Sequence, residues 1–241
     1  MRNAYVLGMV ALLLATTLTG CVGITGGNGG NSANSSLNVP IWELGDNWLY
    51  TFSTPDYNDD IARLVVATVD EENGTAYMLG ISSLTEARRH AVLNHNPFLG
   101  RMTHGNLSAY ENGEPQQVLQ FPLKTNSVWE FTLFSIEWNT VVVSADSDSA
   151  SIRSTSSDGQ SLDYVYDSEI KFFSSFVWTD AAGIEQLRMI YADHDIGYSG
   201  DVYFVRGGDI YTNTWDNSGP DAEIRDSFFV SGHPKDGEWD E

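Results

Sequence analysis

The strongest constraint on this chain is a texture that begins near Val39. Short runs of aromatic and β-branched residues recur at close spacing, each stopped by turn formers. The runs read NWLYTFST, ARLVVATV, TAYMLGIS, SVWEFTLFSIEW, NTVVVSA, LDYVYD, EIKFFSSFVW, EQLRMIYA, DVYFVRG, DIYTNTW and DSFFVSG. Between them stand Glu72-Asn73-Gly74, Glu111-Asn112-Gly113, Ser157-Asp158-Gly159, Ala182-Gly183 and Gly207-Gly208. Residues of these types suit a pleated, half-buried surface, and the punctuation leaves no room for long crossovers. The expected fold class is mainly β: an antiparallel meander forming a half-barrel or a sandwich. One short helix is expected near 84–95. Ser83 stands three residues before Glu86 in capping-box form, LTEARRHAVLNH follows, and Pro97 stops it.

Composition decides what such a sheet can contain and attract. With 41% hydrophobic residues and seven Trp, the chain can fill a core. Its formal charge is −21, from 12 basic and 33 acidic residues. That surface repels phosphate backbones and anionic headgroups, which argues against a nucleic-acid partner and fits salty surroundings. The single cysteine, Cys21, excludes an internal disulfide, so packing alone must hold the fold.

Cys21 has a different use. Residues 1–20 carry Arg2 and then the apolar stretch AYVLGMVALLLATTL, which is short for a membrane span and ends in small residues. Leu18-Thr19-Gly20-Cys21 resembles the lipobox of prokaryotic lipoproteins. The resemblance implies cleavage before Cys21 and a lipid on its sulfur. That would anchor the protein to the cell membrane, facing the outside or the periplasm. Residues 21–38 are rich in Gly, Ser and Asn and read as a flexible tether, with a reach of roughly 20–25 Å. The expected organisation is therefore a signal peptide over 1–20, a lipidated tether over 21–38, a β-rich domain over 39–231 and an acidic tail over 232–241. Sequons at Asn34, Asn73 and Asn106 permit glycosylation where a host has the machinery.

Two further resemblances are shorter. QFPLKTNSVWEF is similar to segments of uncharacterised exported β-sheet proteins. YVYDSEIKFF with WTDAAGIEQLRM resembles half-barrel lipoproteins that cup lipid, which implies a half-barrel here. LGDNWLYTF and LKTNSVWEFTLF also resemble each other. Two related half-sheets would explain this, but the favoured reading is one way of opening a strand used twice.

Motifs for chemistry mostly fail on context. Ser168-Glu169-Ile170-Lys171 has S-x-x-K spacing but runs into a strand pattern rather than opening a helix, and no K-T-G follows. Gly197-Tyr198-Ser199-Gly200 lacks a spacer of the nucleophile elbow. His90 and His95 are five apart and do not share a helix face. Asp146 and Asp148 begin like a calcium loop, but Ser151 and Ser157 stand where Gly and Glu are needed. Asp56, Asp59 and Asp60 form a second acidic loop that could hold Ca²⁺ weakly. Asp193-His194-Asp195 offers oxygen and nitrogen donors suited to Zn²⁺ or Ca²⁺, and is the candidate metal set, read against a plain acidic turn. Trp42, Trp48, Trp129, Trp138, Trp178 and Trp215 fit a core or a barrel rim, or else an aromatic floor for sugar or lipid.

No cofactor is implied, and no catalytic residues are assigned. The expected function is non-enzymatic: binding or scaffolding at the cell surface, with an apolar or carbohydrate ligand in the concave face of the sheet. A hydrolase with paired carboxylates and a purely structural surface protein are the alternatives. Oligomeric state is not encoded in any of these features.

Overall fold

Alternation along each strand sets the architecture. In the segment Ser161–Asp167, Leu162, Tyr164 and Tyr166 are buried while the residues between them are half-exposed. Successive side chains of a strand point to opposite faces, so one face of this sheet is a core and the other meets water. A computed structural model describes residues 37–56, 60–69, 76–93, 96–111, 114–206, 209–216 and 223–229. Cys21, the tether before Leu37, Asn34, Asn73, Asp59, His95 and the acidic tail lie outside the described residues.

The first half of the sheet is β1 (Asn47–Ser53), β2 (Asp60–Val69), β3 (Ala76–Ile81), α1 (Leu84–Leu93), β4 (Gly100–Thr103), β5 (Ala109–Glu111) and β6 (Glu114–Gln116). The second half is β7 (Val128–Leu133), β8 (Ile136–Ala145), β9 (Ser149–Thr155), β10 (Ser161–Asp167), β11 (Phe172–Thr179) and β12 (Glu185–Asp195). Each strand pairs antiparallel with the next, except β6 with β7, and β12 returns to pair with β1. The result is a nearly closed antiparallel barrel. The expected mainly antiparallel β class with one short helix is therefore what the chain forms, closed as a barrel rather than a sandwich. The helix carries the cap read from its sequence, with Glu86 N–H donating to Ser83 Oγ at 3.5 Å. The two Trp-led segments that resemble each other contribute the first and seventh strands, one opening each half.

The barrel stays open at the β6–β7 seam for a local reason. Alternation of paired backbone groups on β6 turns Pro115, partner of Tyr110 on β5, toward β7. Proline has no N–H to donate, so a regular ladder cannot form there. Side chains bridge the seam instead. Thr132 N–H donates to Gln116 Oε1 at 2.9 Å, and Trp129 Nε1–H donates to the Gln117 carbonyl at 2.7 Å.

Three strands, β13 (Gly200–Arg206), β14 (Asp209–Asp216) and β15 (Glu223–Phe229), extend the sheet through a single pairing of Tyr203 with Ile81. Val202 and Phe204 bury Val65, Ala67 and Met78 on the outer face of β2 and β3. Gly80 permits this approach, because a Cβ there would collide with Val202 Cγ1 and lie 3.0 Å from the Tyr203 carbonyl.

Three segments differ from the sequence expectation. SVWEFTLFSIEW is a hairpin rather than one strand: Phe134 (φ 58°) and Ser135 (φ 59°) form its two-residue turn. Both central residues take the left-handed conformation that a type I′ turn requires. Ser149–Thr155, read only as a failed calcium loop, is strand β9, with Ala150, Ile152 and Ser154 facing the core. Asp193-His194-Asp195 is not a turn but the last turnless stretch of β12, paired with β1.

Candidate functional site

The inner face was the expected place for a ligand, and aromatic side chains occupy it. Phe98 meets Phe172, Phe173 and Phe176 at centroid distances of 5.5, 4.7 and 5.2 Å. Tyr50 donates its hydroxyl to the Phe173 carbonyl at 2.6 Å, and Tyr164 donates to the Val118 carbonyl at 2.8 Å. Burial pushes both phenols well above the usual tyrosine range, because the ionised form would lie in a low-dielectric interior. Toward one end Trp42 packs on Trp48, Tyr77 and Phe172, each at 5.0 Å, and donates its indole N–H to the Lys171 carbonyl at 3.0 Å. Trp42, Trp48 and Trp138 are fully buried core residues rather than an open floor for sugar. Trp178 is half-buried at a rim, stacked on Phe134 at 4.3 Å.

The outer face of β8 to β12 has a different character. A shallow groove of about 400 Å³ runs there, lined by Val143, Val165, Val177 and Ile190 with Ser151, Ser175, Arg153, Asp163 and Arg188. Val143 is 55% exposed, on the outward parity of β8, and a β-bulge there leaves Ser144 facing outward beside it. The register produces an ordered surface. One row across the strands reads Ser151, Val165, Ser175, Ile190, Thr51 and Ile61, each residue opposite the next. The adjacent row reads Arg153, Asp163, Val177 and Arg188. Arg153 Nε–H donates to Asp163 Oδ1 at 2.6 Å, and this contact holds the guanidinium's proton more firmly. Arg188 Nε–H donates to Glu185 Oε2 at 2.7 Å, which keeps that carboxyl below the usual glutamate range.

The structure does not gather the expected metal set. His194 is half-buried and stacks on Trp48 at 5.5 Å. Asp193 lies 3.5 Å from Arg63, and Asp195 Oδ1 accepts the Ile196 N–H at 2.8 Å. Strand alternation puts the two carboxylates on the side opposite the imidazole. Among the described residues no group of three His, Cys, Asp or Glu side chains is placed to hold a metal ion. Asp146, whose likeness to a calcium loop stops at its first residues, accepts the N–H groups of Asp148 and Ser149 at 2.9 and 2.8 Å. Asn106 is half-buried in a turn where Ser108 Oγ–H donates to its Oδ1 at 2.9 Å. Ser168 to Lys171 form the β10–β11 turn, with Lys171 at φ 58°, so the S-x-x-K spacing has no helix to act on.

Sequence reading missed the groove, although its signal was present. Val165, Val177 and Ile190 occupy the outward parity of strands whose inward parity is also apolar. Period-two alternation that carries β-branched residues on both faces marks a sheet covered twice or a sheet that binds something. The chain matches no model of a known protein family and no curated protein. Among the described residues no helix is long and apolar enough to cross a membrane.

Proposed function

We propose that this protein is a lipid-tethered, non-enzymatic binding module of the cell surface, and that its binding surface is the outer groove over β8 to β12. The observation that carries the reading is the groove's lining. Aliphatic side chains stand on the water side of β8, β10, β11 and β12, beside hydroxyl and guanidinium donors. Ligand sites combine an apolar bed with a few placed polar groups. The Leu18-Thr19-Gly20-Cys21 lipobox supports attachment through Cys21, and the tether supports display away from headgroups that would repel an acidic domain. An apolar or carbohydrate ligand suits the lining. A hydrolase reading gains nothing from this face, whose carboxylate Asp163 is engaged by Arg153.

Two measurements test the proposal. Cys21→Ser should move the protein from the membrane fraction to the soluble fraction; retention of an unprocessed chain in the membrane would show a transmembrane anchor instead. Native mass spectrometry of the full chain, screened against lipids and glycans, should detect a ligand that the Val165→Asp, Ile190→Asp variant loses. Binding unchanged in that variant, or no ligand for the wild type, would remove the outer groove as the site.

A further inference from the structure

Resting on the export inferred from residues 1–20, we propose that Asn106 carries an N-linked glycan, added before the turn that holds it has folded. The turn from β4 to β5 uses one half of the Asn106 amide and leaves the other idle. Oδ1 accepts from Thr103 Oγ1, from Ser108 Oγ at 2.9 Å and from the Ser108 N–H at 3.3 Å. A backbone N–H can only donate, so the amide oxygen, not the nitrogen, must face Ser108. Nδ2 makes no hydrogen bond in the protein, and the side chain is only half-buried. An aspartate would serve such a turn as well. Asp146, Asp167 and Asp180 each accept the N–H two residues on, in turns of this same chain. The amide nitrogen is therefore surplus to the fold. Asn106-Leu107-Ser108 is the acceptor pattern for a glycan on that atom, and a sugar there breaks no internal hydrogen bond.

Ser108 fixes the order of events. It is 2% exposed, its carbonyl accepts the Thr103 N–H at 3.0 Å, and Leu107 beside it is buried at φ 54°. A transferase that reads the serine hydroxyl cannot reach it in the closed turn, so transfer precedes closure. The step joins Asn106 Nδ2 to the anomeric carbon of a glycosyl group carried on a lipid phosphate. The bond from that carbon to the phosphate oxygen breaks, the phosphate leaves with the electron pair, and Nδ2 gives up one proton. Placement decides what the glycan leaves free. β4 and β5 stand half-way round the strand order from β10 and β11, so the sugar lies across the barrel from the outer groove. His104 of the same turn packs on Tyr77 at 4.1 Å, and the Tyr77 hydroxyl accepts the Trp42 N–H at 3.1 Å. The glycan therefore stands at the end of the barrel that the chain enters after its tether.

The test uses the full chain purified from its own host. Proteolysis and fragment mass spectrometry should find the peptide holding Asn106 heavier by whole sugar residues, with the added mass on Asn106. Asn106→Asp keeps the acceptor that Ser108 needs and removes the amide nitrogen. It should lose the glycan, seen as a step in gel mobility, while the protein still folds. Ser108→Thr should keep the glycan and Ser108→Ala should lose it. A second measurement checks the order of events. Unmodified chain from a host without the transferase is offered, folded and unfolded, to membranes of the native host; only the unfolded form should take up sugar. Equal transfer to both forms would overturn that order. A glycan kept at this position in Ser108→Ala would show a modification that does not read the sequon, and the assignment would fall. If the Asn106 peptide has its bare mass in a chain processed at Cys21, the glycan is wrong and the export stands. If it is bare in a chain that keeps residues 1–20, both fall.

Discussion

The barrel interior is mostly ring against ring, yet one line of hydroxyl groups crosses it. Thr140 Oγ1 and Ser154 Oγ lie 2.8 Å apart, Ser154 Oγ is 3.4 Å from Tyr164 Oη, and Tyr164 donates onward to the Val118 carbonyl. All are buried, and Val118 belongs to the segment between β6 and β7, where no ladder exists. This chain ties the segment between β6 and β7 to β8, β9 and β10. Tyr164→Phe keeps the ring and leaves the carbonyl without its donor. The expected cost is about 1–3 kcal/mol, read from denaturant midpoints. A midpoint within a few tenths of wild type would mean that water replaces the phenol. The same burial sets behaviour in alkali. Tyr50, Tyr164 and Tyr166 ionise only well above the ordinary value of 10.0 while folded, so the folded state keeps protons that the unfolded state releases. Their contribution is complete below pH 10 and is lost as pH rises beyond it. Tyrosinate absorbance should therefore show an exposed set titrating first and a buried set that appears only with unfolding.

At the scale of elements, the β13–β15 extension depends on one residue without a side chain. Gly80 lies under Val202 and Tyr203, where added atoms meet both a side chain and backbone. Gly80→Ala should cost about 1–3 kcal/mol by overpacking. Hydrogen exchange should locate the loss, with faster exchange in β13 and unchanged protection in β8 to β11. Uniform loss across the barrel would show that the extension is part of one cooperative unit. The elements also show what could be read beforehand. β1, β2, β3, β10 and β12 announce themselves because their inward residues are large: Trp48, Tyr50, Leu64, Leu79, Tyr164 and Met189. β9 does not, since SASIRST fills its inward parity with Ala150, Ile152 and Ser154. Its strand character comes from neighbours on both sides, a tertiary effect that local propensity cannot show. The Phe134-Ser135 turn was hidden for a related reason. Its left-handed conformation carries no Gly or Asn, and the stack of Phe134 on Trp178 accompanies it. The groove stayed hidden because it is a product of register. Ser175 and Ile190 become neighbours only once β11 and β12 are aligned, and sequence reading supplies parity without alignment.

At the scale of the whole molecule, the acidic composition has a structural side as well as a surface one. Several aspartates build the turns between strands. The N–H of Asp148 holds the Asp146 carboxylate below the usual range, with Ser149 adding to it. The Ile184 N–H does this for Asp180, and the Ser156 hydroxyl for Asp158. These three carboxyls bind protons less readily when folded, so their contribution is present above the ordinary value of 3.8 and is lost as pH falls through their lowered values. The net charge acts in the opposite direction. Repulsion among the excess carboxylates destabilises the compact state at neutral pH and fades as the isoelectric point near 4.3 is approached. Together they predict a maximum rather than a slope. Melting temperature should rise as pH is lowered from 7 toward 4.3, then fall below 3.8 as the turn aspartates take up protons. Added salt separates the two causes, since it screens exposed charges beyond about 10 Å at 0.1 M and leaves short hydrogen bonds in place. Salt should raise the melting temperature clearly at pH 7 and little near pH 4.3. A melting temperature at pH 7 that ignores salt would show that the acidic surface carries no repulsive cost. The aspartates would then be there for the turns they build.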